Sequence, residues 1–101
     1  MDFLRDSYQS TFIATGATTA VTGASTVPVT CKLIRIIVGE TAAGAIRVYD
    51  SVPGSETASN QKAELKSSVA EGDFDYGITM AKGIQVVTLA ASKITVVWSK
   101  V

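Results

Sequence analysis

Histidine is absent from the 101 residues, and cysteine occurs once, at Cys31. The first absence removes the commonest general base and the commonest zinc partner. The second excludes an intramolecular disulfide and any cysteine metal cluster. Proline is scarce, with two residues, and aromatic residues make up only 7% of the chain. Neither sign of charge dominates, because nine Lys and Arg balance nine Asp and Glu. With no basic block to hold a phosphate backbone, nucleic acid is not an expected partner. Zero net charge also gives little self-repulsion, which suits a protein that associates. No apolar run approaches the ~20 residues of a membrane helix, so no membrane partner is expected either. The opening Met1–Asp6 has neither a basic start nor an unbroken apolar stretch. It does not read as a secretory signal, and synthesis in a cytoplasm is expected.

What is present favours strands. Hydrophobic residues make up 47% and charged residues 18%. Much of the apolar content is Val, Ile and Ala, and the polar content is rich in Thr and Ser. β-Branched side chains are stiff at χ1 and suit a pleated surface. The length predicts one domain, burying roughly two-thirds of the surface of its unfolded chain. So thin a core gains from self-association.

Residues 1–7 read as an N-terminal arm, with Phe3 and Leu4 set among charges, and residues 8–101 as the β domain. Strands are expected at Tyr8–Thr15 and Thr18–Thr22, punctuated by Gly16 and Gly23. Pro28 keeps Thr26–Val29 out of a central ladder position. Cys31–Val38 is the most apolar strand. Strict alternation puts Ile34, Ile36 and Val38 on one face and Leu33, Arg35 and Ile37 on the other. Ala45–Asp50 places Ile46 and Val48 inward, with Arg47 and Tyr49 opposite. Residues 51–60 form a loop in which Pro53-Gly54 fits the centre of a type II turn. Helix formers populate Gln61–Val69, but a short strand over Ala63–Ser68 is expected there. Ser68 and Glu71 have capping-box spacing, yet Gly72 follows with no apolar helical run behind it. Phe74, Tyr76, Ile78 and Met80 alternate with polar residues, as in a half-buried antiparallel strand. Strands over Ile84–Leu89 and Lys93–Val101 close the chain. About eight short strands at even spacing predict an all-β fold, a single antiparallel sandwich of which the jelly roll is one form.

Little chemistry is on offer. Glu71, Asp73 and Asp75 share one face of an extended strand, and three oxygens there could help to bind Ca²⁺. Their alternation with Phe74 and Tyr76 instead marks the wet face of a half-buried strand, so no metal or other cofactor is expected. Cys31 opens an apolar strand and reads as a small buried hydrophobe. No Ser or Thr nucleophile is supported without a base, and no catalytic residue is assigned. Trp98 and Tyr76 fall at core positions, whereas Tyr8 and Tyr49 are the expected exposed aromatics. Candidate partner-binding residues are Phe3 and Leu4 on the arm, with Arg47 and Tyr49 on an exposed strand face as a second anchor.

From Ile46 onward the order of segments is distinctive. Ile46-Arg47-Val48-Tyr49-Asp50 ends in a Tyr-Asp pair and a Ser/Gly-rich loop. Phe74-x-Tyr76-x-Ile78-x-Met80 follows, then Gly83-Ile84-Gln85-Val86-Val87, then Ile94-Thr95-Val96-Val97-Trp98. This order, over about half the chain, resembles the β-sandwich cement or decoration proteins of tailed bacteriophage capsids. No motif is matched at the N-terminus. The resemblance implies a non-enzymatic virion structural protein on the capsid surface that binds and stabilises the major capsid protein lattice. It also implies association with itself as a homo-oligomer, a dimer or trimer. The alternative is a carbohydrate- or receptor-binding module of a phage head or tail fibre. An exposed aromatic platform around Tyr49 favours the module, and a flat apolar patch with an ordered arm favours the cement.

Overall fold

The computed structural model describes residues 8–23 and 25–100. The expected arm, with Phe3 and Leu4, lies outside them. The chain forms β1 (Tyr8–Ile13), β2 (Thr18–Ala20), β3 (Cys31–Glu40), β4 (Ile46–Asp50), β5 (Gln61–Leu65), β6 (Gly72–Met80), β7 (Ile84–Thr88) and β8 (Lys93–Lys100). A 3₁₀ turn, Ala58–Asn60, interrupts the β4–β5 loop. Sheet I has the strand order β1-β8-β3-β6, and sheet II has β2-β7-β4-β5.

The order follows from one long hairpin. β4 pairs with β5, β3 with β6, β2 with β7 and β1 with β8, all antiparallel. Rolling that ribbon brings β8 against β3 and β7 against β4. The result is the double-sheet jelly roll. Its thinnest dimension is 19 Å, as expected of two sheets packed face to face with side chains on both outer faces.

Alternation decides most of the core. Ile94, Val96 and Trp98 of β8 point inward, as do Ile84 and Val86 of β7 and Ile46 and Val48 of β4. Phe74, Tyr76 and Ile78 of β6 pack against this cluster while remaining half-buried. Gln61–Leu65 is a strand despite its helix-forming letters, since pairing with β4 outweighs local propensity.

β3 corrects the alternation expected of it. Cys31 and Leu33 are buried, but so are Ile36 and Val38, while Ile34 is only half-buried. The register on both neighbours shifts between Leu33 and Arg35. Over the step from Leu33 to Arg35, β3 has one residue more than β8 (Trp98 to Val97) and one fewer than β6 (Ile78 to Asp75), and the irregularity inverts the inward phase. Leu33 therefore joins the core, and Ile34 does not keep the face of Ile36.

Two turns hold the sandwich at one end. In the β4–β5 loop, Ser55 N–H donates to Val52 C=O at 3.2 Å, and Gly54 has φ +86°. This is the positive φ that a type II turn requires at its third position. The β6–β7 turn is clamped from several elements. The Asp50 carboxylate accepts N–H bonds from Ala81 (3.0 Å) and Lys82 (2.8 Å). Thr22 Oγ1 accepts from Ile84 N–H at 3.1 Å, and Ser51 N–H donates to Gly83 C=O at 3.2 Å. Gly83 sits at φ +133°, and a Cβ there would lie 2.8 Å from Thr22 Oγ1. Only glycine fits that junction.

Candidate functional site

The residues with potential chemistry are kept apart by the fold. Cys31 is fully buried at the start of β3. Burial pushes its thiol up to about 11, and the negative charge of Asp50 adds to the shift. Such a thiol is a poor nucleophile at neutral pH. Glu71, Asp73 and Asp75 all face solvent. Asp75 Oδ1 lies 3.1 Å from Arg35 Nε, close enough for charge attraction though outside hydrogen-bond alignment. Among the described residues there is no grouping of three potential metal ligands and no cavity. None of the helical turns among them is long and apolar enough to cross a membrane.

Of the expected anchors, Arg47 Nε bonds Glu64 Oε1 across the β4–β5 ladder at 3.1 Å, with both side chains partly exposed. Tyr49 is a correction. It does face away from the core, as alternation requires, but it is only 8% exposed. β4 is an inner strand of sheet II, and Tyr49 stands between Gln85 of β7 and Gln61 of β5. With its ring buried, Tyr49 forms no exposed aromatic platform. Trp98 is in the core, as its strand position predicts, and Tyr8 is 46% exposed.

The surface that does assemble is the outer face of sheet I. In β1, Ile13 points to the core, so Tyr8, Ser10 and Phe12 point out. The registers extend them into three rows. Tyr8 leads to Ser99, Lys32 and Thr79; Ser10 to Val97, Arg35 and Asp75; Phe12 to Thr95, Ile37 and Asp73. The face thus grades from aromatic at the β1 edge, through half-buried Val97 and Ile37, to the Arg35–Asp75 pair at the β6 edge. Phe12 is 65% exposed. Phe12 is not among the anchors expected from the sequence. The signal was there in the Tyr8-x-Ser10-x-Phe12 alternation, whose phase is opposite to that of Ile13.

Comparison with protein-family models, with curated proteins and with solved structures found no match to this chain.

Proposed function

We propose that the protein is a non-enzymatic virion structural protein, a capsid cement or decoration protein that binds and stabilises the major capsid protein lattice from the capsid surface. The observation that carries this is the outer face of sheet I, aromatic at its β1 edge, with Tyr8 46% and Phe12 65% exposed. A monomer gains nothing by holding a phenyl ring in water, whereas an apolar patch rimmed by charge suits a protein contact. Jelly rolls serve capsid and lectin domains alike, so the fold does not decide between them. The burial of Tyr49 does weigh, because it removes the aromatic platform that a sugar-binding module would use. Cementing needs area more than a site: many modest contacts, repeated by symmetry.

The test is mass spectrometry and negative-stain imaging of particles made with and without this chain. The expected result is a chain present in copy number comparable to the major capsid protein, on the shell, with heat-sensitive particles in its absence. A chain missing from particles, or confined to a few copies on a fibre, contradicts the proposal.

A further inference from the structure

Each sheet of a sandwich has two edges, and open edges invite pairing with other chains. Three of the edges among the described residues carry the usual protection. β2 is only three residues long. β5 carries Lys62 and Glu64, and β6 carries Asp73 and Asp75. β1 is different: Tyr8-Gln9-Ser10-Thr11-Phe12-Ile13 contains no charge and no proline. Its ladder is to β8 alone, and among the described residues no other backbone group bonds to it.

We infer that β1 pairs antiparallel with β1 of a second copy of this chain, joining two copies of sheet I into one continuous sheet across a two-fold axis at Ser10. The pairing does not require the virion role, although it uses Tyr8 and Phe12, the side chains of the same exposed edge; cross-linking of the free protein reads it without particles. Residues directly opposite in an antiparallel pair lie on the same face. Self-pairing must therefore match outward residues with outward residues. Centred on Ser10, it sets Tyr8 against Phe12 of the second copy, and Phe12 against its Tyr8, on the outer face. Gln9 and Thr11 meet on the other face. The segment Tyr8–Phe12 is nearly palindromic in chemistry, aromatic at both ends and polar between. It gains two aromatic cross-strand pairs from one register. The absence of charge on β1 points to the same occupant. Like charges meeting across a two-fold axis oppose self-pairing, and among the four edge strands β1 alone combines the absence of charge with enough length to form a ladder. So short a contact falls below the ~1,200 Å² of a stable interface. The pair is therefore transient in dilute solution, and trapping is the suitable readout.

The experiment is air oxidation of purified single-cysteine-addition variants, each confirmed folded by circular dichroism. Native Cys31 is buried and does not compete. Opposed residues in an antiparallel pair have Cα atoms ~4.5–5.5 Å apart, within the range a disulfide spans. Ser10→Cys should form covalent dimers roughly tenfold faster or more than Thr79→Cys, an exposed site at the other edge of the same face. Adding Phe12→Arg to Ser10→Cys should return the rate to that of Thr79→Cys. Mixing Tyr8→Cys protein with Phe12→Cys protein should give heterodimers well above their statistical share. Equal rates for Ser10→Cys and Thr79→Cys, or a statistical mixture in the last test, overturn the inference.

Discussion

At the scale of the residue, stability depends on side chains that face an unusual environment. Cys31 shares its end of the sandwich with Asp50 and has a thiol pushed up to about 11 from an ordinary 9.0. A group whose folded pKa is raised favours folding fully below its unfolded pKa, and that contribution is lost as pH rises through the folded value. Tyr76 is raised by burial as well and acts in the same direction. Unfolding free energy from urea melts should therefore fall between pH ~9 and ~11, with roughly 2–3 kcal/mol attributable to the thiol. Cys31→Ala should flatten that decline; an unchanged slope would place the thiol in water. Thiol reagents should label Cys31 slowly in the native protein and rapidly in denaturant. Gly83→Ala should cost about 2 kcal/mol or more, because positive φ and the Thr22 contact both resist a methyl group. A melting temperature equal to that of wild type would show that the clamp can yield.

At the scale of the element, alternation and glycine placed eight strands close to where they form. Their ends moved by a few residues, as with β5, which begins at Gln61 and ends at Leu65. The irregularity in β3 is not legible in the letters Leu33-Ile34-Arg35, because it is set by the shifted registers with β6 and β8. Tyr49, expected exposed, is buried for a related reason. Its face is readable from Ile46 and Val48, but its burial follows from the place of β4 between β7 and β5, which alternation within β4 does not reveal. Phe12 required knowing that β1 is an edge strand. The irregularity in β3 makes a sharp prediction. Leu33→Ala should cost about 2–5 kcal/mol, as for a fully buried leucine, and Ile34→Ala clearly less. Chemical denaturation of both variants checks it, and the reverse order would mean that β3 keeps strict alternation. The acidic face of β6 carries a second prediction. Chelator should leave the melting temperature unchanged, since Glu71, Asp73 and Asp75 face solvent and Asp75 is engaged by Arg35. A drop restored by Ca²⁺ would assign them to a site, because a ligand that binds only the native state stabilises it.

At the scale of the whole molecule, the jelly roll joins the beginning of the chain to its end: Tyr8 lies opposite Ser99, and Ile13 opposite Ile94. Such pairings close most of the chain into a loop before any contact rewards it, so refolding should take milliseconds to seconds. The same topology leaves β1 on the rim of sheet I, where its aromatic side chains meet the surroundings. The candidate surface lies largely on β1 and β3. The direct measurement is occupancy on particles made without this chain and incubated with purified protein, comparing wild type with the Tyr8→Ser, Phe12→Ser double variant by quantitative gel and cryo-electron microscopy. The account predicts near-saturated binding of wild type to the shell and a large loss for the variant, at unchanged melting temperature. Equal occupancy by the two proteins, or no binding of wild type to the shell, would contradict it.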